Sequence, residues 1–385
     1  MLSLKHLKIM GKSNNFYLPL FILLINIFLS ILFLTTLPAY FNEKIFFKNN
    51  PSIKEAMFYK VIDNGVQCEL CPRYCFLPEG FRGKCRVRIN TGGKLFTMVY
   101  GMASAIHIDP IEKKPVYHLK PGIAAFSIST KGCNLRCMFC QNWQLSQNNP
   151  EDRDSQFFSP EKIVQLAKKY NSQSIAYTYA EPIVFYEYVY DIAKLAKENG
   201  IYNVFVSAGY INKEPLEKLL PYLDVVKIDL KGFNKDFYKK FVGCDLNDIL
   251  KTLKILKEHN KLVEIVNLIV PGLNDNLDEI KNMCIWIKEN LGEKTPVFFS
   301  RFFPNYLLLN LQATDVETLE KAYTIAKEQG LQYVYIGNVP GTQYENTFCP
   351  RCGNILVKRY GYTVEQVNIV NGRCKFCGEE IPGIW

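Results

Sequence analysis

Cys133, Cys137 and Cys140 fall within eight residues of a 385-residue chain, in the run Cys133-Asn-Leu-Arg-Cys137-Met-Phe-Cys140. Three thiolates so close together can surround one metal centre on a single loop. A closed structural zinc site or an ordinary four-iron cluster takes four protein ligands, so three thiolates on a cubane leave one iron open to another molecule. Chemistry at that open iron is what the spacing implies. The plain alternative is a zinc site completed by a distant fourth ligand.

Two further groups hold four thiols each. Cys68, Cys71, Cys75 and Cys85 lie within eighteen residues, with Gly80 and Gly83 letting the backbone fold tightly around an ion. Zinc or a second [4Fe-4S] cluster fits four sulfurs there, and the spacing does not choose. Cys349, Cys352, Cys374 and Cys377 form two CxxC-Gly knuckles separated by twenty-one residues, the spacing of a zinc ribbon, and structural zinc is expected. Such a metal contributes on the order of 10 kcal/mol to a tail too small for its own core. Cys244 and Cys284 lack partner spacing and read as buried thiols. With eleven of thirteen cysteines in metal-spaced groups, a disulfide scaffold is excluded and a reducing compartment follows.

The elements that must position these thiols alternate. The apolar run 124–130 enters the three-cysteine loop. Beyond it, Ser159-Pro-Glu-Lys-Ile-Val-Gln-Leu-Ala-Lys-Lys169 has an N-cap serine, proline at N1 and helical apolar spacing. Short β-rich runs follow at 174–179, 202–207, 225–230, 262–270, 296–302 and 331–336, and 94–100 is weakly β-like. Strand, helix, strand at this spacing predicts an α/β fold, a parallel barrel or open barrel with its active site at the C-terminal strand ends, and a partial (β/α)6 barrel is the form expected. The expected organisation is an anchor over 1–48, a Cys-rich region over 60–120, a core over 121–340 and a zinc-ribbon-like tail over 341–385. Apolar residues make up 48% and charged residues 22%, which is globular composition. The net charge of +9 comes mostly from scattered lysines, so nucleic-acid binding is not expected.

The loop resembles the signature of the radical S-adenosylmethionine (SAM) superfamily, CxxxCxxC with an aromatic residue before the third cysteine, here Phe139. The resemblance implies that SAM chelates the open iron through its amino and carboxylate groups. A low-potential electron donor then drives reductive cleavage to a 5′-deoxyadenosyl radical, which abstracts hydrogen from a substrate. Tyr177-Thr-Tyr-Ala-Glu-Pro182 resembles the superfamily's Gly-Glu-Pro motif and makes Glu181 a candidate partner of the SAM ammonium. Asp229-Leu-Lys231 resembles the Asp-x-Lys of glycyl-radical-enzyme activases, with Lys231 a candidate for the SAM carboxylate and Asp229 for a cation or polar ligand. Val270-Pro-Gly272 resembles the activases' turn near adenosine.

With Cys68-Glu-Leu-Cys71-Pro-Arg-Tyr-Cys75, Asp109-Pro-Ile-Glu-Lys-Lys-Pro115 and Tyr333-Val-Tyr-Ile-Gly-Asn338 added, residues from about Cys68 to Trp385 resemble the AmmeMemoRadiSam system radical SAM proteins, related to pyruvate formate-lyase activating enzymes. That resemblance implies Memo- and Ammecr-type companions and a partner protein as a candidate substrate. Two rivals stand beside it: a glycyl-radical activase, and a membrane-tethered scaffold in which every cysteine group holds zinc. The chain departs from the family at Ala208, where asparagine is usual, and at Phe298 and Phe299, where a histidine is expected. The extra cysteines also precede the loop, whereas activases place theirs after it.

Outside the resemblance, Phe16 to Leu37 is an uncharged run whose roughly 22 residues give about 33 Å of helix, enough to span a bilayer as a single N-terminal anchor. Lys5, Lys8 and Lys12 favour a cytoplasmic N-terminus over Lys44 and Lys48. SAM and low-potential electrons are cytosolic, and Lys54 and Lys60 soften the bias, so the catalytic body is expected in the cytoplasm. A start placed too far upstream would leave a soluble cytoplasmic protein.

Overall fold

The computed structural model describes residues 50–151 and 155–385, and Ser52–Trp385 forms one compact unit. Eight strands pair in chain order: β1 (Ala105–Pro110), β2 (Ala124–Ser129), β3 (Ser174–Tyr177), β4 (Tyr202–Ser207), β5 (Val225–Asp229), β6 (Leu262–Ile269), β7 (Val297–Arg301) and β8 (Val334–Gly337). Strands β2 to β8 run parallel and β1 pairs antiparallel with β2. Each of the seven parallel strands falls on an expected β-rich run, and β1 is added at one edge. Strand β1 escapes a sequence reading because its Asp109-Pro110 end looks like a proline-rich lead-in. A proline at the end of an edge strand removes no ladder bond from a central pairing.

Between the strands lie α1 (Pro160–Lys169), α2 (Tyr186–Glu198), α3 (Lys213–Leu219), α4 (Leu246–Glu258), α5 (Leu277–Leu291) and α6 (Val316–Glu328). The cap of α1 forms as the sequence predicts, with Ser159 Oγ accepting from the Lys162 amide at 3.3 Å. Strand alternation sorts the core. Phe205, Val226, Ile228 and Ile265 pack in one cluster with helical residues such as Leu253 and Ile280. Ala125, Ala176, Val204 and Val225 pack instead with Ile111, Val116 and Leu119 of the β1–β2 connection. That connection plugs the barrel. Lys114 beyond β1 and Asn338 beyond β8 line one cavity, so the sheet rolls until its two edges face each other.

The Cys-rich segment adds two small antiparallel sheets, Tyr59–Ile62 with Gly65–Cys68 and Phe76–Leu77, and Lys54–Glu55 with Lys94–Thr97 and Arg88–Thr91. Arg88 docks it by pairing with Glu187 of α2, both side chains being 1% exposed. Glu187 Oε1 also accepts from the Met57 amide at 2.7 Å. In the tail, β9 (Thr347–Phe348), β10 (Ile355–Tyr360) and β11 (Thr363–Val367) form an antiparallel sheet. Leu356, Val357 and Ile381 share a cluster with Val266, Phe298 and Tyr335, so barrel and tail have a common core. Among the described residues no helix is long and apolar enough to cross a membrane, and the anchor expected over 16–37 lies outside them.

Candidate active site

The three-cysteine loop begins where β2 ends. Gly132 has φ +98°, and a Cβ there would lie 2.6 Å from Val87 Cγ1 and 2.8 Å from the Cys85 carbonyl oxygen. Only glycine lets the loop lie against the Cys-rich segment in that conformation. Backbone bonds fix its far side, Arg136 N to Val242 O and Met138 N to Phe241 O, both 2.9 Å. Phe139 is 3% exposed and its ring stacks on Phe237 at 5.9 Å.

Cys133, Cys137, Cys140, Phe139, Glu181, Asp229 and Lys231, scattered over some hundred residues, all line one cavity of about 410 Å³. It lies at the C-terminal ends of the strands, where a parallel α/β barrel gathers its functional groups. Burial pushes the Cys137 thiol up to about 12, with the Lys231 ammonium opposing it. Buried thiols of that kind are inert nucleophiles but ready soft-metal ligands once a cation displaces their protons. Three thiols, Cys137 buried and Cys133 and Cys140 partly so, beside an open cavity suit a cluster with one exchangeable position.

Glu181 stands just past β3 at the N-terminus of a short 3-10 turn, 5% exposed. Its carboxylate accepts from Ser207 Oγ at 2.6 Å, the Ala208 amide at 2.9 Å and the Ile183 amide at 3.4 Å. Burial raises it to about 7, and these hydrogen bonds hold it from going further. The departure at Ala208 thus removes a side chain but leaves the backbone donor in use.

Asp229 at the end of β5 takes Lys227 on one carboxylate oxygen and Lys231, at 3.4 Å, on the other. Burial would raise the carboxyl, yet the two ammonium groups hold it below its ordinary value. Burial likewise opposes the Lys231 charge, and Asp229 outweighs it, so the amine stays protonated. Lys227 was missing from the sequence reading. Its signal was a lysine inside an apolar strand run, two residues before Asp229 and so on the same face. In the Val270-Pro-Gly turn, Asn274 Nδ2 donates to the Lys231 carbonyl at 2.5 Å and to Leu268 O at 2.8 Å, so this turn braces Lys231.

A second charged group faces the same cavity. Lys114 Nζ bonds Asp109 and, at 3.1 Å, Tyr179 Oη, and Lys113 reaches Asp109 at 2.8 Å. Burial draws the Lys114 amine down to about 8 against the pull of Asp109. Tyr362, from the tail turn between β10 and β11, completes the wall. Where a histidine was expected, Phe298 faces Tyr117 and Tyr335 at 4.8 and 4.7 Å, while Phe299 lies in the helix-side core.

Of the other two cysteine groups, the tail's draws tightly together, and the N-terminal one lines a common cavity. In the tail, Cys349 and Cys377 sulfurs are 3.6 Å apart, Cys352 and Cys374 3.7 Å, and all four lie within 4.8 Å of one another. Cys68, Cys71, Cys75 and Cys85 line a separate small cavity. Cys244 and Cys284 are buried, 9% and 0% exposed.

The profile of the Radical SAM superfamily matches residues 127–287, which contain the loop, Glu181, Asp229 and Lys231. The MJ0808 protein of Methanocaldococcus jannaschii is 47% identical over 332 residues, covering 86% of this chain and 99% of its own length. The chain belongs to the radical SAM superfamily. It is a radical SAM enzyme, and membership implies a [4Fe-4S] cluster and SAM. The pyruvate formate-lyase-activating enzyme of Clostridium pasteurianum is 27% identical over 224 residues, covering 54% of this chain and 92% of its own. A domain of the pyruvate-formate lyase-activating enzyme from Bacteroides vulgatus ATCC 8482 aligns over 43% of this chain and 99% of its own at 21% identity, with a TM-score of 0.37. The radical SAM and activating-enzyme parts of the expected resemblance stand; the narrower AmmeMemoRadiSam label is a matter for proposal.

Proposed function

We propose that Cys133, Cys137 and Cys140 hold the [4Fe-4S] cluster, that Glu181 accepts a hydrogen bond from the SAM amino group, and that Lys231 receives its carboxylate. The observation that carries this reading is the convergence of all three thiols, the Glu181 carboxylate and the Lys231 ammonium on a single cavity. The bound cluster supplies one electron to the sulfonium of SAM. What the chain itself does is bind and exclude: Phe139 and Phe237 seal the loop's inner side, and Ser207 and Ala208 aim the Glu181 carboxylate. Asp229 is already served by Lys227 and Lys231, which favours a positioning role for it over binding a free cation.

In this reading the enzyme abstracts hydrogen from a substrate for which a partner protein is a candidate, after reduction by a low-potential donor. The activating-enzyme relatives favour an activase-like reaction on a protein loop, and Memo- and Ammecr-type companions rest on the sequence resemblance alone. The tail's four sulfurs suit structural zinc. The uncharged run 16–37 is a candidate membrane tether for a cytoplasmic body. Purified anaerobically and reduced, the protein should form 5′-deoxyadenosine from SAM, and Cys137→Ala should abolish the product. An unchanged yield in that variant overturns the cluster assignment.

A further inference from the structure

Four thiols, Cys68, Cys71, Cys75 and Cys85, surround an internal cavity of about 20 Å³ that also meets Arg88 and Asn134. A water needs roughly 10–15 Å³ of such space, so the cavity has room for one. A tetrahedral zinc ion with Zn–S of about 2.3 Å draws its sulfurs to about 3.8 Å of one another and leaves no room between them for water. The tail meets that description, with sulfur contacts of 3.6 and 3.7 Å. The N-terminal group encloses open space instead. Gly83 borders it closely: a Cβ there would come 3.6 Å from Cys85 Sγ and 3.9 Å from Cys75 Sγ, so the backbone is drawn in behind the thiols without filling their centre.

The position is as informative as the size. Asn134, next to Cys133, lines the cavity, and Arg73 Nε donates to the Asn134 carbonyl at 2.5 Å. Gly132, on the other side of Cys133, packs on the Cys85 carbonyl, and Arg136 Nη2 donates to the Lys84 carbonyl at 3.2 Å. The catalytic loop and the N-terminal thiol cage therefore share a wall one residue thick. Arg88, fully buried, places Nη1 3.8 Å from Cys68 Sγ, supplying positive charge beside a thiolate set. Glu187 balances that guanidinium on its other side.

We propose that Cys68, Cys71, Cys75 and Cys85 ligate a second, fully coordinated [4Fe-4S] cluster, and that this site is distinct in metal from the zinc-sized site of the tail. Four thiolates leave that cluster no open iron, so it binds no SAM.

Iron analysis and electron paramagnetic resonance on the full-length protein, reconstituted anaerobically with iron and sulfide, test this. The unaltered protein should hold about eight irons and about one zinc per chain. With Cys133, Cys137 and Cys140 all replaced by alanine, iron should fall by about half and a reduced-cluster signal should persist while 5′-deoxyadenosine formation is lost. Replacing Cys71 and Cys85 by alanine should remove the other half and leave the SAM-responsive signal. About four irons with about two zincs in the unaltered protein, or loss of all iron in the loop variant with zinc retained, overturns the proposal. The metal content of the unaltered protein decides even if a variant fails to fold, and a failed loop assignment would show as SAM-independent signals with the N-terminal cluster intact.

Discussion

At the scale of single residues, the site depends on a carboxylate held in an environment that resists its charge. Glu181 is raised to about 7 by burial. Without SAM, the folded chain is favoured by the protonated form, a contribution present below about 4.5 and lost as pH rises through about 7. An N–H donor from the SAM amino group reverses the preference, so SAM binding should release the Glu181 proton. Affinity for SAM, measured by calorimetry, should rise with pH by up to about tenfold per unit below the Glu181 value and level off above it. Glu181→Gln should weaken binding and flatten the profile, whereas a flat profile in the unaltered protein would remove the amino-group contact. Much of this is legible in the sequence: the three cysteines follow from spacing, Glu181, Asp229 and Lys231 from strand ends that resemble family motifs, and one cavity gathers them. Ser207, the Ala208 amide and Lys227 are not. The first two act through a fold that brings the ends of β3 and β4 together, and sequence distance hides such pairs.

At the scale of elements, the Cys-rich segment is attached to the barrel through a charge pair in a dry setting. Arg88 and Glu187 are each 1% exposed, and Arg88 also donates to the Met57 carbonyl at 3.0 Å. Arg88→Met would strand a carboxylate in the core and should cost about 3–5 kcal/mol, read as a lower denaturation midpoint. Combining it with Glu187→Leu should recover most of that loss, since an apolar pair replaces a desolvated ionic one. No recovery would mean that the pair acts through the neighbouring thiols instead. The strands of the barrel were readable because parallel strands are continuous apolar runs. Strand β1 was not, because two-residue alternation in Ile106, His107, Ile108 and Asp109 is short and ends on a proline. Of the small sheets in the Cys-rich segment, only Lys94–Thr97 shows in the sequence, as the weakly β-like run 94–100, and the rest is held by tertiary docking rather than by propensity.

At the scale of the whole molecule, the tail belongs to the barrel's architecture. Arg359 on β10 lies over the Tyr117 ring at 3.9 Å and donates to the Tyr117 carbonyl at 3.1 Å. His118 bonds the Pro382 carbonyl at 2.6 Å and Tyr335 Oη at 2.8 Å. Stripping the tail metal with a chelator, or Cys374→Ala, should therefore lower the melting temperature of the whole unit and not of a separable tail, a loss on the order of several kcal/mol. Two resolved transitions in calorimetry would contradict that coupling. The zinc-ribbon spacing announced the tail, but its role as a cavity wall could not be read from it, since Tyr362 and Lys114 meet only in three dimensions. The pairing of His118 with Pro382, 264 positions apart, also sets an order of events during synthesis. A chain emerging from the ribosome presents its three-cysteine loop early and can finish the cavity around it only after the tail has emerged as well. Loading of the loop can thus precede closure of its chamber, and chains arrested before the tail would carry a catalytic loop beside an unfinished wall.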